Sequence, residues 1–182
     1  MPTTPSDAPS SHDSDLRLVL RNPCPEDEAE VAAAQAELAE DGFDFALRRS
    51  DESWEDYLAR VKRDRQGIDL SPERVPATML FAVVEGQIVG RVHIRHELNR
   101  ALLAVGGHIG YGVRPQYRRR RYATEMLRQG LGVALGLGIQ RALVTCDDDN
   151  LGSIGTIERC GGVLENVSAD ATPKRRYWID LS

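Results

Sequence analysis

The segment ATMLFAVVEGQIVGRVHIRHEL, residues 77–98, leaves the chain few folds to choose from. Both of its halves are apolar runs of strand length, and Glu85-Gly86 between them is a turn signal. The pattern therefore predicts two neighbouring strands of a sheet with a tight turn between them. A third short strand is predicted over GGHIGYGV, residues 106–113, after a linker with the sequence NRALLAV.

Helices with apolar residues at helical spacing are predicted before and after these strands. Tyr57, Leu58 and Val61 mark one of them. Runs of adjacent strands beside single helical crossovers predict an α/β (α+β) fold, with a mixed sheet and helices on both faces. The predicted order is a strand (LRLVLRNP), two helices (EAEVAAAQAELAE and ESWEDYLARVKRDRQ), three strands, a helix, a strand (RALVTC), a helix (NLGSIGTIERC) and two strands (VLENV and KRRYWIDL).

The composition is that of one ordinary globular domain, which we expect over residues 16–182. Of the 182 residues, 41% are hydrophobic and 28% are charged, which is enough apolar material for a core. Residues 1–15, MPTTPSDAPSSHDSD, contain almost no apolar side chains. We therefore predict that they form a disordered tail.

Three further features predict a cytoplasmic protein. No apolar run approaches the roughly 18 residues of a membrane helix, so we expect no membrane partner. The N-terminus lacks the basic and apolar regions of a secretory signal. The three cysteines, Cys24, Cys146 and Cys160, are odd in number and form no CxxC pair, which argues against a disulfide framework and against a zinc site.

Positive charge is concentrated in VRPQYRRRRYATEML, residues 113–127, although the net charge of the chain is −5. Residues 1–74 carry 9 Lys/Arg against 18 Asp/Glu, whereas residues 75–182 carry 14 against 10. One arginine cluster in an otherwise acidic chain suggests a local anionic ligand. We expect no nucleic-acid partner, because such proteins are usually basic over a whole face.

The arginine cluster lies between a strand that ends at Val113 and a helix that begins near Tyr122. The first N–H groups of a helix have no internal acceptors and the helix dipole is positive there, so this place suits a phosphate group. Arginines add bidentate, charge-assisted bonds, which makes a pyrophosphate the natural ligand. The alternative is a solvated, charged helix end, and Arg114 is the arginine that we expect at the plain surface.

The element order, the VRPQYRRRRYATEML segment and the later NLGSIGTIERCGGV segment resemble the GNAT superfamily of acyl-CoA N-acyltransferases. The resemblance covers residues 16–182 and implies a mixed, mostly antiparallel sheet of six to seven strands. The family's pyrophosphate loop has the form [QR]-x-x-G-x-[GA]; Arg118 fills its first position, Ala123 its last, and Arg121 replaces the glycine. We expect Arg121 to have a backbone conformation near helical, with its side chain outside the loop or around the ligand.

The resemblance implies acetyl-CoA as co-substrate. Backbone amides of Val113 and residues 119–123 would hold the pantetheine and the pyrophosphate, and Thr124 would add a hydroxyl. Asn150 matches the family asparagine that contacts the pantetheine arm, although a helix N-cap is its purely structural interpretation. The full set of implied acetyl-CoA-binding residues is Tyr111, Val113, Arg118, Arg119, Arg120, Arg121, Tyr122, Ala123, Thr124, Asn150 and Ser153.

The implied reaction is N-acetyl transfer, in which a primary amine attacks the acetyl thioester directly in a ternary complex. A backbone N–H in the strand from Gly110 to Val113 is the expected donor to the oxyanion. The tyrosine that often protonates the leaving thiolate, seven residues after the asparagine, is replaced by Ile157. The candidate general bases are His108 and Glu97. A histidine bonded within the sheet and a solvated turn carboxylate are the respective alternatives.

We expect the amine acceptor near the first two helices, where DGFDFAL, residues 41–47, offers two phenylalanines and two aspartates. Such an acidic, partly aromatic lip would suit a cationic amine. A loop that packs its own phenylalanines is the alternative.

Three questions about function and partners complete the sequence-based prediction. We predict no metal site, because His93 and His96 lie on opposite faces of a regular strand. The sequence does not determine the oligomeric state, and a homodimer is one possibility because dimers are common among similar proteins. The alternative function is an acyl-CoA-binding sensor or regulatory module with little turnover, which the replacements at Arg121 and Ile157 would fit.

Overall fold

The computed structural model describes residues 18–169 and 171–181, which contain seven strands and five helices. The predicted disordered tail, residues 1–15, lies outside the described residues. The strands are β1 (Val19–Arg21), β2 (Ala77–Val84), β3 (Gln87–Arg95), β4 (Ile109–Val113), β5 (Arg141–Asp147), β6 (Val163–Val167) and β7 (Lys174–Asp180). The helices are α1 (Glu28–Ala39), α2 (Trp54–Gln66), α3 (Arg100–Ala104), α4 (Tyr122–Gly136) and α5 (Leu151–Arg159).

The first four strands form an antiparallel sheet in the order β1-β2-β3-β4. β2 and β3 are the predicted pair of neighbouring strands, and their register places Phe81 opposite Arg91. Both turn residues between them, Glu85 and Gly86, have positive φ angles, of 50° and 81°. Such angles match the twist of the two strands that a two-residue turn connects. The hairpin predicted from the sequence is thus confirmed.

The last three strands form a second antiparallel sheet, in which β7 lies between β5 and β6. Within the described residues, no ladder pairing joins β5 to β4, the edge strand of the first sheet. Two bonds hold these edges together at one end: the His108 N–H donates to Leu143 O at 2.7 Å, and the Leu143 N–H donates to His108 Nδ1 at 2.9 Å. The predicted fold class is confirmed, and its strands form two ladders because β4 and β5 separate beyond this point.

Helices cover both faces of the four-stranded sheet. On one face, α4 packs on the sheet through Met126 and Leu127, and α5 packs beside α4 and on β5 through Ile157; all three side chains are completely buried. On the other face, α1 and α2 pack through Leu38 and Tyr57 around the strand residues of β2. Each face of this sheet therefore has its own apolar core.

Capping residues set the ends of α2 and the start of α5. The Ser53 hydroxyl accepts the Asp56 N–H at 3.1 Å at the start of α2, and Gly67 ends that helix with a φ of 70°. The Asn150 side chain accepts the Ser153 N–H at 3.0 Å at the start of α5. The structural interpretation of Asn150 as an N-cap is therefore correct.

The predicted linker over residues 99–105 contains the short helix α3. The Asn99 side chain starts it by accepting the Leu102 N–H at 2.9 Å.

Among the helices that the structure describes, none has both the length and the apolar character needed to cross a membrane.

Arg114 corrects one prediction, because it was expected at the plain surface and is only 5% exposed. Its guanidinium donates to both carboxylate oxygens of Glu37, at 2.8 and 2.6 Å, to Glu30 at 2.9 Å and to Ile88 O at 2.8 Å. Both carboxylates belong to α1, so these ion pairs attach that helix to the edge of the sheet. The prediction was wrong because the carboxylates lie 77 and 84 positions away in the sequence.

Candidate active site

A cleft of about 1600 Å³ opens where β4 and β5 separate. One wall consists of β4 and the start of α4, and the other of the end of β5 and α5. The loop between α1 and α2 borders the cleft with Asp41 and Phe43, and Arg91 and Arg95 of β3 line its far end. The cleft therefore runs from the arginine loop, residues 118–121, to the two arginines of β3.

The arginine loop leads into α4, which begins at Tyr122 as predicted. Among the described residues, the backbone N–H groups of residues 119–123 donate to no protein acceptor. The first bonds of the turn come from the N–H groups of Thr124 and Glu125, which donate to Arg121 O at 3.1 and 3.2 Å. Five consecutive amides at the positive end of a helix are thus available to an anion.

The backbone of Arg121 differs from the prediction. A conformation near helical was expected, but its φ is 62° and its ψ is 5°, in the left-handed region. Arg119 has a φ of 62° as well. This region costs a residue with a Cβ atom about 1–2 kcal/mol, which explains why the family pattern has glycine at the position of Arg121. The Arg121 side chain is exposed and lines the cleft.

Of the predicted acetyl-CoA-binding residues, all except Arg120 line the cleft. The Arg120 guanidinium instead lies 5.9 Å from the centroid of the Tyr117 ring. Arg118 crosses the mouth of the cleft: its Nε donates to Val113 O at 3.2 Å, and its Nη2 pairs with Asp41. The residues that line the cleft are Tyr111, Val113, Arg118, Arg119, Arg121, Tyr122, Ala123, Thr124, Asn150 and Ser153.

The free edge of β4 also presents amides to the cleft. In an antiparallel ladder, alternate residues bond to the neighbouring strand. The Arg114 N–H donates to Val89 O, and the Arg95 N–H donates to His108 O. This alternation directs the N–H groups of Tyr111 and Val113 away from β3, toward the side on which β5 has separated.

Ile157 does not face the cleft, because it is completely buried between α5 and the sheet. The face of α5 that lines the cleft carries Ser153 and Thr156 instead. Tyr111 reaches this face from β4, and its hydroxyl donates to Ser153 O at 3.5 Å. Burial raises the pKa of Tyr111, so its phenol is protonated at neutral pH.

Neither candidate general base is among the residues that line the cleft. His108 is 7% exposed, and its Nδ1 accepts the Leu143 N–H in the interior, where burial lowers its pKa. Glu97 is exposed in the bend that follows β3. His108 therefore has the structural position named above as the alternative to a general base, since it is hydrogen-bonded between the two sheets.

His96, one of the two histidines considered above, contacts a residue of the neighbouring strand. His96 Nε2 lies 2.8 Å from the Thr78 hydroxyl oxygen. In the part of the chain that the structure describes, no group of three or more His, Cys, Asp or Glu side chains is placed to hold a metal ion.

The lip formed by residues 41–47 differs from the prediction in which side chains it presents to the cleft. Phe45 is completely buried and stacks on Phe81, with the ring centroids 5.8 Å apart. Phe43 lines the cleft, but Asp41 pairs with Arg118. One of the two expected carboxylates is therefore neutralised within the chain, and the other, Asp44, is exposed.

Arg91 and Arg95 are the site residues that the sequence analysis missed. Arg91 is 5% exposed, and its guanidinium lies 4.5 Å from the centroid of the Phe43 ring. Arg95 Nη1 donates to Gly106 O at 2.9 Å and to Gly107 O at 3.1 Å. The signal was present in GRVHIR, where basic side chains recur at every second position of an apolar strand and so share one face.

The chain also resembles known proteins. It matches the family profile of the acetyltransferase (GNAT) domain over residues 17–163. It is 32% identical over 72 residues to the uncharacterized N-acetyltransferase YjdG of Bacillus subtilis; the match covers 39% of this chain and only 40% of that relative's length.

Two solved structures have a similar fold over most of their length. The ribosomal-protein-S5-alanine acetyltransferase of Vibrio fischeri has a TM-score of 0.68 at 14% identity, over 91% of this chain and 93% of that one. The microcin C7 self-immunity acetyltransferase MccE, in complex with acetyl-CoA and AMP, has a TM-score of 0.63 at 19% identity, over 90% and 92%. Because the family profile covers most of the sequence and the fold agrees with it, this chain belongs to the GNAT family of acetyltransferases.

Proposed function

We propose that this protein transfers the acetyl group of acetyl-CoA to a primary amine, by direct attack of the amine in a ternary complex. The observation that carries the proposal is the row of five backbone amides without protein acceptors, residues 119–123, at one end of the cleft. Family membership supports the same reaction class. So does the fold shared with an acetyltransferase that was solved with acetyl-CoA.

The cleft residues fit the chemistry of acetyl-CoA. The amides of residues 119–123 bind the diphosphate, and Arg119 and Arg121 add charge from the cleft edge. The Thr124 hydroxyl and the N-cap Asn150 contact the rest of the molecule from the two walls. When bound, acetyl-CoA supplies an acyl thioester, which is already reactive toward a neutral amine.

Two groups of β4 serve the reaction in this proposal. The Tyr111 N–H, at the free edge of the strand, donates to the acyl oxygen as it gains charge. The Val113 N–H lies about 7 Å further along the same edge, nearer the arginine loop, and holds the pantetheine arm. The Tyr111 phenol, which is protonated at neutral pH, takes the part of the hydroxyl that the family often has at the position of Ile157. His108 and Glu97 have no part in the proposal, because neither lines the cleft.

Binding and turnover together test this function. Calorimetry should detect acetyl-CoA binding that Arg121→Ala weakens. Arg120→Ala is the matched control, because it removes the same charge from the same loop at a side chain outside the cleft. Release of free thiol from acetyl-CoA in the presence of a panel of amines reports turnover. Equal weakening by both variants, or the absence of acetyl-CoA binding, would overturn the proposal.

Tyr111→Phe tests the second role separately. It should leave acetyl-CoA binding unchanged within about twofold and lower kcat about tenfold or more, since a positioned acid contributes about 10²–10⁴. A cytoplasmic location and a homodimer stay predictions.

A further inference from the structure

The far end of the cleft holds two arginines that lack carboxylate partners. Among the described residues, neither Arg91 nor Arg95 forms an ion pair within 4.0 Å. Arg91 Nη1 donates to Gly110 O at 3.4 Å, which is long for such a bond, and Nη2 donates to Asp44 O at 3.2 Å, at the upper end of the ordinary range. Its Nε has no partner although the atom is buried.

A buried guanidinium without a counter-charge is costly, and buried charges in proteins are normally paired. Burial and, to a smaller extent, the nearby Arg95 together lower the pKa of Arg91 to about 10. Arg91 is nevertheless cationic at neutral pH. Asp44 is the carboxylate that opposes this effect, but it is exposed and its Oδ1 accepts the Leu47 N–H at 2.9 Å. The charge on Arg91 is therefore left for a ligand to compensate.

The two guanidinium groups converge on one place in the cleft. A Cβ atom on Gly110 would lie 3.7 Å from Arg91 Nη1 and 3.9 Å from Arg95 Nη1. Both groups thus approach the same point beside β4, over a residue that has no side chain to occupy it. A carboxylate or phosphate with several acceptor oxygens suits two guanidinium groups at such a distance.

The position of the arginines separates them from the proposed diphosphate site. The arginine loop follows the carboxyl end of β4, whereas Arg91 lies opposite Gly112 and Arg95 lies beyond Ile94, opposite the amino end of β4. The two guanidinium groups meet beside Gly110, three residues before the end of β4. Because strands rise about 3.4 Å per residue, this point lies about 10 Å back along the strand from Val113. An acetyl-CoA whose diphosphate binds the loop has only its uncharged arm in this direction.

We infer that Arg91 and Arg95 bind an anionic group, a carboxylate or a phosphate, on the amine acceptor. The inference rests on the proposed function and names the substrate class of the same site. Phe43 covers one face of the Arg91 guanidinium, and Gly112 admits the Phe43 ring, which lies 2.4 Å from where a Cβ atom would be. The ring covers a face of the guanidinium and not its edge, and bonds to an anion lie in the plane of that edge.

Matched acceptors test the inference with the unaltered protein. L-alanine is compared with L-alaninamide, and O-phosphoethanolamine with ethanolamine, in two measurements: binding to the CoA-saturated protein by calorimetry, and thiol release from acetyl-CoA. At least one anionic member should bind, and be acetylated, about tenfold or more better than its neutral partner. The pair that discriminates tells whether the group is a carboxylate or a phosphate. Equal values within both pairs, or no binding of either anionic amine, would overturn the inference.

Arg91→Gln and Arg95→Gln then assign the discrimination to these side chains. Each should raise KM for the anionic amine about tenfold or more and remove the preference over its neutral partner, with acetyl-CoA binding unchanged. Arg100→Gln, at an exposed arginine of α3 outside the cleft, is the control and should retain the preference. If the unaltered protein does not bind acetyl-CoA, the proposed function itself is refuted. A preference that survives in both arginine variants would refute only the present inference.

Discussion

Arg60 and Arg91 are almost equally buried, at 7% and 5% exposure, but their surroundings are opposite. Arg60 makes two bonds to the Glu52 carboxylate, at 2.6 and 3.0 Å, and one to Asp64 at 3.0 Å. Arg91 donates to two backbone carbonyls, at 3.4 and 3.2 Å, and its Nε has no partner. The chain therefore neutralises a buried arginine where the role is structural, and leaves one unneutralised in the cleft.

Arg114 belongs with Arg60 in this comparison, since Glu30 and Glu37 surround its guanidinium. The difference teaches that burial of a charged side chain says little about its role until its partners are known. The paired arginines hold helices to neighbouring segments: Arg114 joins α1 to the end of β4, and Arg60 joins α2 to the loop that precedes it. Unpaired arginines provide a site whose counter-charge comes from outside the chain.

The largest expected effect is the loss of a paired arginine. Arg60→Ala leaves the Glu52 and Asp64 carboxylates without this partner, so the free energy of unfolding should fall by about 3–5 kcal/mol in urea denaturation. Arg48→Ala is the control, because the Arg48 pair with Glu28 is 3.7 Å long and at the surface, and it should change stability by less than about 1 kcal/mol. If Arg60→Ala lowers the free energy of unfolding by less than about 1 kcal/mol, Arg60 does not have the structural role assigned to it here.

Ligand-induced stabilisation is the next largest effect. Acetyl-CoA at a hundredfold excess over its Kd should raise the free energy of unfolding by about 2.7 kcal/mol. Because Arg91 lies away from the amide-rich loop, Arg91→Met should be stabilised by the same amount. A much smaller gain in that variant would mean that Arg91 contacts acetyl-CoA, and the division of the cleft into two ends would fail.

Replacement of the unpaired arginine should have the opposite sign to that of the paired one. Arg91→Met removes a buried charge and keeps most of the side-chain volume, so we expect the free energy of unfolding to rise by about 1 kcal/mol, even after loss of the contact with Phe43. The same variant should lose acetylation of anionic amines. A destabilisation of about 3 kcal/mol or more in denaturation experiments would show that Arg91 is structural.

The pH dependence of stability separates the two kinds of arginine as well. The hydrogen bond from Arg60 lowers the pKa of Glu52, so the stability from this pair is present above the ordinary glutamate pKa of about 4.3 and is lost as the pH falls through the lowered value. Urea denaturation between pH 6 and pH 3 should give a shallower loss for Glu52→Gln than for the unaltered protein. Arg91→Met should keep the full slope, because Arg91 has no carboxylate partner among the described residues; an equal slope in Glu52→Gln would contradict this account.

Sequence patterns predicted local structure well in this chain, because the signals for it are local. The start of α4 at Tyr122 and the turn at Glu85-Gly86 depend on neighbouring residues, and both predictions are confirmed. The fate of each arginine depends instead on distant partners: Arg114 is buried by carboxylates of α1, and Arg91 meets the loop between α1 and α2. Sequence spacing does not contain that information.

The arginine loop provides a third case, in which exposed arginines have a backbone that favours glycine. Arg121→Gly and Arg121→Ala remove the same charge, but only glycine accepts a φ of 62° without steric cost. The glycine variant should therefore be more stable than the alanine variant by about 1 kcal/mol in urea denaturation. Acetyl-CoA affinity should fall by the same factor in both, because the amides stay in place and only the guanidinium is lost. If the glycine variant binds as tightly as the unaltered protein while the alanine variant does not, the loop backbone governs binding, and the Arg121 charge has no direct part in it.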